Sequence, residues 1–97
     1  MDNQPRVGLL TVDIQVPEAL TLKDKRQVVR SLLDRIANRF NASVAQVGKL
    51  DNPRRGSLAF AVVSNDGKHA HEMLDAILRA VSGEPRLEVE DSEVELL

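Results

Sequence analysis

Two rhythms of apolar residues run through this chain, and the order in which they alternate constrains the fold more than any other feature. "RVGLLTVDIQV", Arg6 to Val16, has period two: Leu10, Val12, Ile14 and Val16 make one apolar face, while Val7, Leu9, Thr11, Asp13 and Gln15 turn polar along the other. Its β-branched and aliphatic content, closed by Pro17, predicts a strand in a sheet covered on one side. Val28, Val29, Leu32, Leu33, Ile36 and Phe40 then recur at the three-and-four spacing of an amphipathic helix, predicted from Leu22 to Phe40. Thr21 and Asp24 open it as a capping box with Asp in place of the usual Glu. "ASVAQVGKL", Ala42 to Leu50, predicts a second strand, and "DNPRRG", Asp51 to Gly56, a turn. "SLAFAVVS", Ser57 to Ser64, predicts a third strand with Leu58, Phe60 and Val62 on one face and Ala59, Ala61 and Val63 on the other. Both faces are apolar, so periodicity leaves open which one is covered. Small Ala59 and Ala61 would let a helix approach closely.

Asp66 is the expected N-cap of a second helix, whose stripe is Ala70, Met73, Leu74, Ile77, Leu78 and Val81 and whose stop is Ser82 and Gly83. "RLEVEDSEVELL" alternates again but slips phase around Asp91 and Ser92, which predicts a last strand with a bulge or bend. Strand, helix, strand, strand, helix, strand is the order of an α+β, ferredoxin-like βαββαβ sandwich. Right-handed crossovers place both helices on one face of a four-stranded antiparallel sheet, with the second and last strands at the edges. A single domain is expected over residues 6–97, after a short flexible N-terminus of residues 1–5, because 97 residues leave too little apolar volume for two cores.

Several chemistries lack their residues. The chain has no cysteine, which excludes disulfides and Cys-ligated zinc. No apolar run approaches the roughly 20 residues that span a bilayer, and "MDNQPR" does not open like a signal peptide, so a cytoplasmic protein without a membrane partner is expected. His69 and His71 stand two apart on a helix, pointing away from each other, so no metal site is expected from them. Glu88 and Glu90 share one face of an exposed strand, where nothing would raise a pKa. Gly67 follows a helix cap and is a poor phosphate loop by itself. No catalytic motif is present, and neither enzyme activity nor a cofactor is expected.

Charge is unevenly spread. Lys23, Lys25, Arg26, Arg30, Arg35 and Arg39 outnumber Asp24 and Asp34 in the first helix, whereas Glu84, Glu88, Glu90, Asp91, Glu93 and Glu95 face only Arg86 in the tail. The candidate binding residues for RNA or another anionic partner are Lys23, Lys25, Arg26 and Arg30, helped by Arg54 and Arg55. On a helical wheel Lys23, Arg26 and Arg30 share a flank with Asp34, within pairing reach of Arg30, but Lys25 falls inside the apolar arc of Val29, Leu32 and Ile36. A cation near a helix N-terminus opposes the dipole, which makes Lys25 the first candidate functional residue. Sheets of this topology bind single-stranded RNA by stacking bases on aromatic side chains. Phe60 is the only aromatic residue on any expected strand, so contact through phosphates is the expected mode. The alternative is a homodimer through the open sheet face, with Val7, Leu9, Leu58 and Phe60 as candidate interface residues, or through an edge strand.

"VGLLTVDIQVPEALTLKDKRQVVRSLLDRIANRFNASVAQVG", "LAFAVVSND" and the closing "EVEDSEVELL" together resemble the YlxP-like family of small bacterial proteins of unknown function. The family pattern is a leading "GLL" strand, a "SLKEKR" helix start, an "RF-N-SVAEV" join, an "SSD" or "SND" turn and an "EVE" tail; here Thr21 replaces the serine, Asp24 the glutamate of the helix start and Gln46 that of the join. The resemblance implies a ferredoxin-like fold and, through the neighbourhood of genes for translation factors, an accessory role near RNA or the ribosome by association only. It implies no catalytic residue.

Overall fold

In a computed structural model residues 4–97 are described, so that part of the expected flexible segment 1–5 lies outside the described residues. The elements are β1 (Arg6–Gln15), α1 (Leu22–Arg39), β2 (Ser43–Gly48), β3 (Arg55–Ser64), α2 (Gly67–Ser82) and β4 (Glu88–Leu96). They form the predicted βαββαβ order, with one antiparallel sheet in the order β2-β3-β1-β4.

The even residues of β1 and β3 share a face because Leu10 pairs with Phe60 and Val12 with Leu58. Leu10, Val12, Ile14, Leu58, Phe60 and Val62 are buried there against Val29, Leu32 and Ile36 of α1 and Ala70, Leu74, Ile77 and Val81 of α2. This places the larger side chains of β3 inward and corrects part of the expected interface: Leu58 and Phe60 are core residues, with no exposed surface to offer a partner. Burial of bulky side chains removes more apolar area from water than burial of Ala59 and Ala61 would. The close helix approach expected over those alanines happens instead over Gly8 of β1. A Cβ built there would lie 2.9 Å from Leu74 Cδ1 and 3.3 Å from Val62 Cγ2.

Element ends differ from expectation where long-range pairing decides them. β3 starts at Arg55 because Arg55 pairs with Gln15 at the end of β1. α1 ends one residue early, with Phe40 in an extended conformation as its C-cap. The break in β4 sits at Glu90: Asp91 opposes Asp13 and Val89 opposes Ile14, which leaves Glu90 unpaired between them.

Candidate nucleic-acid interface

The start of α1 is fixed by the predicted capping box. The backbone N–H of Asp24 donates to Thr21 Oγ1 at 3.1 Å, and Asp24 Oδ2 accepts from the N–H groups of Leu20 and Thr21 at 3.0 and 3.2 Å. The backbone bond from Leu20, joined by those from Thr21 and by the charge of Lys23, holds the Asp24 carboxyl below its ordinary pKa. A negative charge is thus kept at the positive end of the helix.

Lys25, one turn in, does not face solvent. It is fully buried, and its ammonium donates to the carbonyl oxygens of Lys49 (2.8 Å), Asn52 (2.5 Å) and Arg55 (3.0 Å), with Leu50 O at 3.4 Å. The β2–β3 loop is folded around this cation, including Lys49 itself, whose φ of 57° lies in the left-handed region. Burial pushes the Lys25 pKa down, the Arg26 charge adds to that, and Asp51 opposes it. The candidate role of Lys25 as a phosphate contact is therefore corrected by the geometry: every donor of the ammonium is taken up by backbone, out of reach of an outside anion.

Arg54 and Arg55 extend the same architecture. Arg54 Nε donates to Ala19 O at 3.2 Å, and the Val16 N–H donates to Arg54 O, so this residue joins the β1–α1 and β2–β3 connections. Asn52 Oδ1 accepts from the N–H groups of Arg54 and Arg55. The Arg55 guanidinium lies 3.7 Å from Glu90 Oε2 on β4. Both arginines are exposed, but each has an intramolecular partner.

What remains is a compact set. Lys23, Arg26 and Arg30 lie exposed on the outer face of α1 beside Gln27, Ser31 and Asp34, over about 10 Å of helix at 1.5 Å per residue. The three cations form no ion pair or hydrogen bond with the described residues, and the expected pairing of Arg30 with Asp34 is not made.

Sequence reasoning missed a network that bounds this patch. Glu84, in the α2–β4 connection, has a side chain only 3% exposed and receives Arg35 Nη2 as well as Arg86 Nε and Nη2. Arg86 Nη2 also donates to Ser31 Oγ on α1 at 3.2 Å. Hydrogen bonds from Arg86 hold the Glu84 carboxyl down at about 2 against the opposing effect of burial. Arg35 is thereby withdrawn from the basic patch. The only local sequence signal was an acid between Gly83 and Pro85, where a loop residue is ordinary.

The opposite face of the sheet has a different character. Val7 and Leu9 lie there, half-buried, beside Ala59, Ala61 and the exposed Val63. Glu95, Glu93 and Asp91 of β4 pair with Leu9, Thr11 and Asp13 along its margin. No aromatic side chain is on this face, since the sole strand aromatic, Phe60, is buried on the other. His69 and His71 are exposed at the start of α2, His71 within 3.3 Å of Asp75, and no group of three or more metal-ligating side chains occurs among the described residues.

Residues 7–94 match the family described as "Protein of unknown function (DUF503)". The chain belongs to the DUF503 family. This DUF503 protein is 29% identical over 82 residues to the "Uncharacterized protein YlxP" of Bacillus subtilis (strain 168), an alignment covering 84% of this chain and 89% of that one. Among solved structures it is similar to PA3566 from Pseudomonas aeruginosa, with a TM-score of 0.51, 13% identity, and coverage of 100% of this chain and 96% of that one. It also aligns with the de novo designed protein Foldit4 at a TM-score of 0.47 and 16% identity, covering 94% and 93% of the two chains. The structural likeness to PA3566 supports the DUF503 fold assignment and nothing about activity.

Proposed function

We propose that this DUF503 protein is a non-enzymatic cytoplasmic module that binds RNA, alone or in the ribosome, by its phosphates. The observation that carries this reading is the cluster of Lys23, Arg26 and Arg30, exposed together on α1 and in no ion pair or hydrogen bond with the described residues. Long flexible cations held close together and left unpaired raise the local concentration of polyanions and release their counterions on contact. The sheet face lacks stacking side chains and is lined by acids, so RNA approaches from the helix side. No helix among the described residues is long and apolar enough to cross a membrane.

The test is a salt titration of binding to bulk cellular RNA, with the Lys23→Glu, Arg26→Glu, Arg30→Glu variant alongside and circular dichroism as the folding control. The expected result is affinity that falls steeply with salt in the parent, and a folded variant that no longer binds at low salt. Each lost cation should flatten the slope of log affinity against log salt by about 0.7 to 0.9. Absence of binding by the parent at low salt, or equal binding by the folded variant, overturns the reading. Lys25 is left unchanged, since a charge reversal inside the carbonyl cage would test folding.

A further inference from the structure

The two edges of the sheet are treated differently. β4 carries Glu88, Glu90, Asp91, Glu93 and Glu95, the usual charged device that stops an edge strand from pairing with another chain, whereas a register break is common to both edges, at Glu90 in β4 and between Gln46 and Gly48 in β2. β2, at the other edge, has the sequence SVAQVG without a charge, a proline or a second chain neighbour beyond β3. Val47 and Leu50 at its end are each 55% exposed. Beside this bare edge runs a groove between β2 and α1, lined by Val29, Leu33, Val44, Gln46, Arg26, Arg30 and Asp34. In the same region Gln46 Nε2 is buried with no hydrogen-bond partner among the described residues.

We propose that β2 is the edge through which two copies of this chain join, strand to strand about a two-fold axis, into one continuous eight-stranded sheet. This rests on the edge and its groove, and it shares Arg26 and Arg30 with the RNA reading, so its test reads mass and cross-linking through Ala45, outside the basic cluster. An isologous contact must complement itself, and this one does. The uncharged β2 strands meet antiparallel at about 4.8 Å without like-charge repulsion at the axis. The same two-fold sets the two α1 helices antiparallel on one side of the sheet. Along the groove α1 has Arg26 and Arg30 towards its N-terminal end and Asp34 further on, so antiparallel helices bring the arginines of one copy to the Asp34 of the other. Apolar Val29, Leu33 and Val44 are covered in the process. Two arginines and Lys23 against one aspartate leave the paired helices positive, so dimer formation and an outward basic surface coexist.

The experiment uses the full chain, with mass measured by light scattering and sedimentation at high protein concentration. Ala45 is exposed on β2 and tolerates a change of side chain. The expected masses are two chains for the parent and for Ala45→Thr, which keeps a neutral strand-forming edge, and one chain for Ala45→Glu with an unchanged circular dichroism spectrum. Because the chain has no cysteine, Ala45→Cys and Glu93→Cys each introduce a single thiol. A short bismaleimide should link Ala45→Cys into covalent dimers and leave Glu93→Cys as single chains. A one-chain mass for the parent at the highest concentration overturns the proposal. So does a dimer that survives Ala45→Glu, or cross-linking through Glu93→Cys in place of Ala45→Cys, which would put the contact on the β4 side. A parent that stays single but takes up an added extended peptide or RNA at β2 also overturns it, in favour of a foreign occupant.

Discussion

The ammonium of Lys25 donates to the carbonyl oxygen of Asn52 at 2.5 Å, bridging 27 residues of chain from the first turn of α1 to the middle of the β2–β3 loop. Three further carbonyls from Lys49, Leu50 and Arg55 surround the same nitrogen. The bonds orient the loop backbone while compensating for the cation's removal from water. Lys25→Met keeps the buried stem and removes the donors, leaving several loop carbonyls unsatisfied. The expected loss is about 2 to 4 kcal/mol in denaturant unfolding, with faster amide exchange concentrated in residues 49–55. Uniformly unchanged exchange in that loop would show that the cage does not hold it.

Asn52 works on the loop from the other side, its Oδ1 accepting the N–H groups of Arg54 and Arg55. Asn52→Ala should cost about 1 kcal/mol, and Asn52→Asp, which keeps the acceptor, much less. Equal losses for the two substitutions in the same unfolding assay would contradict this role.

Glu84 makes stability depend on pH at the acid end. Its carboxyl ionises at about 2 in the fold, below its ordinary value of 4.5, so the unfolded chain binds the proton more readily. The stabilisation is complete above about pH 4.5 and is lost as pH falls towards 2. Its size is on the order of 3 kcal/mol. Glu84→Gln should be less stable than the parent at pH 7, and the difference should shrink steadily between pH 4.5 and pH 2. A pH-independent difference would assign the loss to packing alone.

Gly8→Ala should destabilise by about 1 to 3 kcal/mol through overpacking, because the new methyl group would lie 2.9 Å from Leu74 Cδ1. The double change Gly8→Ala, Leu74→Val should recover part of that loss. Additive losses in a double-mutant cycle would mean that the two sites do not share the space.

Local periodicity carried most of the fold. It located the covered face of β1 from Leu10, Val12 and Ile14, the Thr21–Asp24 cap, and a break in β4 within a residue or two of Glu90. It was silent on β3, since Leu58 and Phe60 alternate with alanines and a valine that are also apolar, and only pairing with β1 decides which set faces the helices. The wheel position of Lys25 showed that its side chain points inward. Its acceptors lie 24 to 30 residues later, in a loop whose shape depends on the lysine. Glu84 was equally illegible, because Arg35, 49 residues earlier, meets it only when α1 and the α2–β4 connection are brought together. Periodicity reports where a side chain is aimed, and chain closure determines what it finds there.

The separation of charge between α1 and β4 has an electrical consequence. Exposed cations cluster on the helix layer near one edge of the sheet, and carboxylates line the bare face at the opposite edge. With a net charge of -2, the molecule as a whole is weakly repelled by a polyanion. Its dipole nevertheless experiences a torque within the Debye length of about 8 Å at physiological salt, and turns the helix layer towards the anion before any contact is made. Raising the salt weakens that alignment along with the attraction, so the order of approach and the strength of contact fade together.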